Sequence, residues 1–196
     1  MRQTMKLSTH LRCELIKALS SISADDRADL YVISLWVQDL DDDPRRPSIT
    51  VGFNTERQVA ECTPRASGPN EARWNFAFWL QNSLVEVCGE RSDTLGASLR
   101  QAWATVRGIW YSDEDQDRDF EATLKLDEAL TDEFVGVAVQ VVKELHASGE
   151  ITRILGRPVP VLIHELEYYE KIALQNEAAN PPALVEAFAN WVRTEG

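Results

Sequence analysis

Several residue types and motifs are scarce in this chain of 196 residues, and each scarcity excludes a class of protein. Cysteine occurs three times, an odd number without a CxxC pair, which argues against a disulfide framework and favours a reducing compartment. No apolar run approaches the ~20 residues that span a bilayer, and no apolar core of a signal peptide is present. We therefore expect a cytoplasmic protein.

Basic residues are also few. The chain has 20 Lys and Arg against 32 Asp and Glu, which gives a net charge of −12. Binding to nucleic acid depends on Lys and Arg that neutralise phosphates, and docking on an anionic membrane depends on the same charges. The composition therefore predicts no nucleic-acid partner and no membrane partner, and it leaves a basic protein as the expected kind of partner.

Motifs for phosphate binding and nucleophilic catalysis are missing as well. The chain contains neither of the glycine-rich phosphate loops, GxGxxG and GxxxxGK[ST], and no serine stands in a GxSxG elbow. Six tryptophans at helical spacing without basic neighbours are more typical of a core than of a base-stacking surface. We therefore predict no cofactor, and a non-catalytic protein is favoured over an enzyme.

The segment "HELEYYEK" (164–171) resembles the opening of a zinc-protease helix. That motif needs a second histidine four residues after His164, where Tyr168 stands. A site built from His164, Glu165 and Glu167 is the alternative, but neighbours in sequence diverge on a helix. A helix start, with both carboxylates at the positive end of the helix dipole, explains the segment better. We predict no metal site.

An acidic segment, "SDEDQDRDFE" (112–121), concentrates the charge. Residues 113–133 include ten acidic and two basic residues, a net charge of −8. A calcium loop needs glycine at position 6, which every plausible starting residue lacks. The segment therefore predicts an exposed acidic loop over 112–119. The alternative is a docking patch for a basic partner, formed by Asp113, Glu114, Asp115 and Asp117.

Hydrophobic periodicity predicts a helix over 5–22 and then two strands. The first, 30–38, is apolar on both faces, so Ile33 and Trp36 should both be buried in a central strand. The second, 48–54, alternates apolar and polar residues, which is typical of a half-buried strand antiparallel to the first across a charged turn.

The rest of the chain is mainly helical by pattern. A last strand, Val159–Ile163, should be short and at a sheet edge because Pro158 and Pro160 remove ladder donors. Helices are predicted within 67–82, with Trp74, Ala77, Phe78 and Leu84 on one side, within 93–110, with Leu95, Leu99, Trp103, Val106 and Trp110 inward, from Thr131 to Gly149, from Glu165 to Ala178, and around Leu184, Phe188 and Trp191. This order predicts one α+β domain over 1–196, a small antiparallel sheet covered by amphipathic helices.

Three stretches together resemble a known bacterial group: "VGFNTE" (51–56), "EARWNFAFWLQN" (71–82) and "GRPVPVLIHELEYYEKIALQNEAANP" (156–181). They are similar to the domain-of-unknown-function family 4303. The resemblance implies a small stand-alone bacterial protein, and it carries no catalytic residues.

Two classes of function are consistent with these observations. The first is a non-catalytic binding protein, immunity-like or regulatory, that recognises a basic protein partner. The second is a small-molecule-binding protein or enzyme with a pocket near Arg73, Asn75, His164 and Glu165. Convergence of these four side chains in one cleft would favour the second class, and their dispersal would favour the first.

Overall fold

The computed structural model describes residues 6–196. Within that range the chain forms four strands and ten helices, with three short 3-10 turns between them. In chain order they are α1 (Leu7–Ser21), α2 (Ala24–Asp29), β1 (Leu30–Asp39), β2 (Pro47–Thr55), α3 (Glu56–Cys62), α4 (Pro69–Trp74), β3 (Val85–Val87), α5 (Thr94–Arg107), α6 (Asp113–Arg118), α7 (Phe120–Ala147), α8 (Glu150–Leu155), β4 (Val161–His164), α9 (Glu170–Ala179) and α10 (Pro182–Thr194).

The strands form one sheet in the order β3-β2-β1-β4. β1 pairs antiparallel with β2 and parallel with β4, so that Leu35 lies opposite both Val51 and Ile163. The short β3, which the sequence pattern did not predict, pairs antiparallel with β2. The predicted α+β class is confirmed. β4 lies at the edge, as predicted, and its parallel pairing makes the sheet mixed.

Helices cover both faces of the sheet. On one face Ile33 and Leu35 belong to a large apolar cluster with side chains of α1, α7 and α8. On the other face Val32 and Leu162 pack with residues of α4, α9 and α10. The predicted burial of Ile33 is confirmed. The predicted burial of Trp36 is wrong, because this side chain is only half-buried beside an open cleft.

The prediction of a half-buried β2 is wrong. Its second face, which includes Ser48, Gly52 and Asn54, is buried as well. The segment before β3 crosses this face, where Asn82 Oδ1 accepts from Phe53 N at 2.9 Å and Asn82 Nδ2 donates to Phe53 O at 3.0 Å. A single asparagine thus takes the place of a strand residue beside β2.

Two helix predictions need correction at their inward faces. The helix expected within 67–82 ends at Trp74, and the chain continues as a 3-10 turn in which Ala77 is exposed, while Trp79 is buried. In α5 the inward residues include Arg100, whereas Leu95 is 50% exposed and Val106 is 88% exposed. The buried side of α5 is therefore formed by Arg100 and small residues rather than by the apolar residues that the spacing predicted.

Three boundaries also differ from expectation. α7 begins at Phe120, eleven residues before the predicted cap at Thr131. Residues 113–118 form the short helix α6 rather than a loop. α9 begins at Glu170, so the carboxylates of Glu165 and Glu167 precede the helix, and Lys171 pairs with Asp132. The predicted helix 5–22 corresponds to α1, and its residue 5 lies outside the described range. Among the described helices, none is long and apolar enough to cross a bilayer.

Candidate functional site: an acidic cleft beyond β1 and β4

His164, the last residue of β4, is an internal residue. It is 1% exposed, and its ring packs against Phe76 with centroids 4.8 Å apart. Its Nδ1 lies 2.9 Å from the carbonyl oxygen of Glu165, and its Nε2 lies 2.8 Å from Ser34 Oγ. Because a carbonyl only accepts, Nδ1 carries the proton and Nε2 accepts from the Ser34 hydroxyl. Burial lowers the pKa of His164 to about 4, which keeps the ring neutral.

The other predicted pocket residues have separate partners. Arg73 makes a bidentate ion pair with Glu56, at 2.7 and 2.8 Å. Asn75 Oδ1 accepts from Ala77 N at 3.0 Å and so caps the 3-10 turn. The structure therefore joins only His164 and Glu165, through the main-chain carbonyl of Glu165. Among the four, Glu165 alone lines a large cleft.

That cleft lies where the parallel strands β1 and β4 end, and its volume is about 500 Å³. Side chains beyond the carboxyl ends of parallel strands are a common setting for ligand sites. Four carboxylates, one indole and several neutral residues form its walls: Asp39, Asp42, Glu165, Glu167, Trp36, Val37, Gln38, Thr131 and Leu166. The described part of the chain contributes no lysine or arginine to these walls. The walls that the described residues form are therefore acidic, and the charge of Arg100 only partly offsets the rise in the pKa of Asp39.

The pKa of Asp39 is affected both by its burial and by the neighbouring carboxylates. Burial and then the charges of Glu165, Asp43 and Asp127 raise the pKa of Asp39 to about 6. Within residues 6–196 the Asp39 carboxylate accepts no hydrogen bond. A cation placed in the cleft would offset the repulsion among these carboxylates and lower the pKa of Asp39.

The β1–β2 turn connects the cleft to the acidic helix α6. Arg45 lies in this turn, and its guanidinium donates to Asp43 at 2.8 Å and to Asp113 at 2.5 Å. It also lies over the ring of Tyr111, 5.2 Å from the centroid. The first residues of α6 are therefore held beside the turn that supplies Asp42 to the cleft.

Within α6 the carboxylates have different roles. Asp115 completes a capping box with Ser112 and also pairs with Arg118. Glu114 and Asp117 are exposed and make no side-chain hydrogen bond or ion pair in the described chain. The predicted exposure of the segment is thus right for most of its carboxylates, although its loop conformation is wrong.

A second hollow lies on the other side of Trp36. Its volume is about 340 Å³, and hydroxyl and amide groups predominate in its walls: Ser34, Thr50, Gln81, Asn82, Ser83, Glu86, Trp36 and Phe76. We call the first space the acidic cleft and the second, after its five hydroxyl and amide residues, the neutral hollow, although Glu86 adds one carboxylate to its walls. Ser34 lines the neutral hollow and is hydrogen-bonded to His164. Trp36 therefore separates two chemically different spaces on the same side of the sheet.

Sequence reasoning missed Trp36, Asp39 and Asp42 as site residues. The available signal was the position of "QDLDDD" (38–43) directly after a strand, together with "HELE" (164–167) directly after another. These two runs become neighbours only if the strands are parallel and adjacent, and the expected sheet was antiparallel.

Clusters of three or more metal-ligating side chains are not found within residues 6–196. In comparisons with known proteins, neither a family model, nor a curated protein, nor a solved structure matches the chain.

Proposed function

We propose that this protein is a non-catalytic binding protein that recognises a basic protein partner through the acidic cleft and the adjoining helix α6. The observation that carries the proposal is the set of four carboxylates around a cleft of about 500 Å³, to whose walls residues 6–196 contribute no basic side chain. Like charges held together without a counter-ion cost stability, and an opposite charge from a partner offsets that cost.

The surrounding charges support a protein ligand over an anion. A net charge of −12 repels phosphate groups, and it accelerates the approach of a basic partner. Leu166, 66% exposed at the cleft, adds apolar surface of the kind that protein interfaces bury. An immunity-like or regulatory role is one form that such binding takes, and the resemblance to family 4303 stays part of this proposal.

Affinity capture from the source organism, followed by measurement with the purified partner, tests the proposal. The wild-type chain is compared with Asp39→Asn/Glu167→Gln and with Glu61→Gln/Glu186→Gln, a control with the same charge change on α3 and α10. We expect a basic partner that binds the wild type and the control alike and the cleft variant at least about tenfold more weakly, with a smaller difference at high salt. Equal loss of binding in both variants would mean that net charge alone explains the loss, and this would contradict a specific site.

The neutral hollow supports a second candidate, the binding or conversion of a small molecule. Ser34 Oγ lines this hollow and donates to the neutral His164, an arrangement of hydroxyl and imidazole that also occurs in acyl-transfer sites. A fluorophosphonate probe that labels Ser34, and fails to label Ser34→Ala while labelling Ser83→Ala, would favour this candidate. Absence of labelling at Ser34 would leave the pair a structural hydrogen bond.

A further inference from the structure

Two arginines of the described chain, Arg73 and Arg45, are held in a similar way, with an aromatic ring on one side and one or two carboxylates at the edge. The guanidinium carbon of Arg73 lies 4.2 Å from the centroid of the Tyr31 ring, while its nitrogens contact both oxygens of Glu56. A ring attracts a cation through its quadrupole, and the planar fork of arginine matches a carboxylate, so the two contacts reinforce each other.

Arg45 repeats the arrangement with other residues. Its guanidinium carbon lies 5.2 Å from the centroid of Tyr111, and its nitrogens contact Asp43 and Asp113. These contacts raise the pKa of Arg45, chiefly through the hydrogen bond to Asp43. The fold thus uses a ring and two carboxylates to fix a guanidinium beside the same turn that borders the acidic cleft.

The acidic cleft has the ring and the carboxylates of this arrangement, but no arginine of residues 6–196 lines it. Trp36, Asp39 and Glu165 all line the cleft, whose volume of about 500 Å³ is large enough for a side chain from outside. We infer that the acidic cleft is a receptor for one guanidinium group, an arginine of the partner that enters between Trp36 and these two carboxylates. The inference rests on the proposed function and names the group by which a basic partner is recognised.

Arginine fits this cleft better than lysine for two physical reasons. A guanidinium stacks on an indole and is weakly hydrated, so it loses less solvation when it leaves water. It also reaches several carboxylate oxygens at once, whereas an ammonium acts as a compact point charge. Asp39 is the last residue of β1 and Glu165 directly follows β4, so the pairing of these two strands brings the two carboxylates to the same cleft.

Three blocked pentapeptides test the inference with the intact protein. Each has one central residue, arginine, lysine or citrulline, flanked by glycines, and binding is followed by NMR at the indole N–H of Trp36, assigned with Trp36→Phe. We expect the arginine peptide to bind about tenfold more tightly than the uncharged citrulline peptide and several-fold more tightly than the lysine peptide.

Two variants separate the cleft from general attraction. Asp39→Asn is expected to weaken the arginine peptide about tenfold, and it should leave the fold intact because it removes a repelled carboxylate. Glu186→Gln on α10 makes the same charge change away from the cleft and should leave the affinity unchanged.

Each outcome decides between the two proposals. Equal affinity for the arginine and lysine peptides, both above citrulline and both weakened by Asp39→Asn, would keep the basic-partner function and overturn the guanidinium receptor. Equal affinity for all three peptides would overturn the receptor as well, and the capture experiment would then decide the proposed function on its own. Preference for arginine that persists in Asp39→Asn would place its site elsewhere and would also overturn the inference.

Discussion

Replacing Asn176 by alanine is expected to destabilise the protein by about 2–4 kcal/mol, because its side chain pairs with the buried outer edge of β4. Ile163 N donates to Asn176 Oδ1 at 2.8 Å, and Asn176 Nδ2 donates to Ile163 O at 2.7 Å and to Ile172 O at 2.8 Å. Asn180, one helical turn later, makes the same pair of bonds with Val161, at 2.8 and 2.9 Å. The amides of Asn176 in α9 and of Asn180 directly after it thus serve β4 as a fifth strand would.

The magnitude follows from which groups lose their partners. In Asn176→Ala the N–H of Ile163 stays buried without an acceptor, which costs about 1–3 kcal/mol. The carbonyl oxygen of Ile163 also loses a donor, but this costs less free energy because Gln175 Nε2 still donates to it at 2.9 Å. Asn176 is 0% exposed, so the void left by its amide adds about 1 kcal/mol.

Urea denaturation at pH 7, followed by tryptophan fluorescence and by circular dichroism, measures the change. Gln175→Ala is the matched control, because this half-exposed neighbour donates to the same carbonyl without serving the N–H. We expect the control to cost less than about 1 kcal/mol. A loss below about 1 kcal/mol for Asn176→Ala, with an unchanged m value, would refute the idea that this amide replaces a strand.

Three other changes have definite expected outcomes. Asp39→Asn should raise the free energy of unfolding by about 1 kcal/mol at pH 7, a value reduced for solvent screening of this half-exposed group. Its raised folded pKa, about 6 against 3.8, means that this destabilisation is absent below pH 3.8 and develops as pH rises through about 6, which urea titrations of both proteins across pH 3.5–7.5 would detect. Arg100→Met should cost about 3 kcal/mol in the same assay, because two buried main-chain carbonyls lose a charged donor at 2.9 and 3.1 Å. Gly52→Ala should lower the melting temperature more than Gly136→Ala, since a Cβ at Gly52 would lie 2.7 Å from the oxygens of Asn82, whereas Gly136 has open space.

Much of the sheet could be predicted because its signals are local. Apolar residues on both faces of "LYVISLWVQ" indicate a central strand, and the charged turn after it indicates a hairpin, as the pairing of Ile33 with Phe53 confirms. Two prolines directly before β4 correctly indicated a short edge strand. These predictions needed only alternation and the chemistry of proline.

Several failures of burial share a physical cause, which is a polar side chain that pairs with the main chain. Arg100 is 2% exposed because the carbonyls of Pro47 and Cys88 accept from it, although a hydrophobic stripe would place it in solvent. Asn176 is likewise buried, and Asn82 half-buried, because each completes the hydrogen bonding of a strand edge. Periodicity treats such residues as surface, since it considers side-chain polarity without the unpaired main-chain groups nearby.

The candidate site could not be predicted from the sequence for a different reason. It depends on the register in which the parallel strands β1 and β4 pair. Trp36 lies opposite His164 in the parallel pair, so Asp39 and Glu165 reach the same cleft although they are far apart along the chain. A shift of one residue would have exchanged the faces of β4 and turned His164 away from Ser34. No local pattern fixes that register. Two sets of contacts set the register. His164 packs between Ser34 and the rings of Phe76 and Trp79. Asn176 and Asn180 pair with alternate residues of β4. The structural asparagines and the neutral histidine therefore act on the cleft indirectly, by holding the two strand ends that bring its carboxylates together.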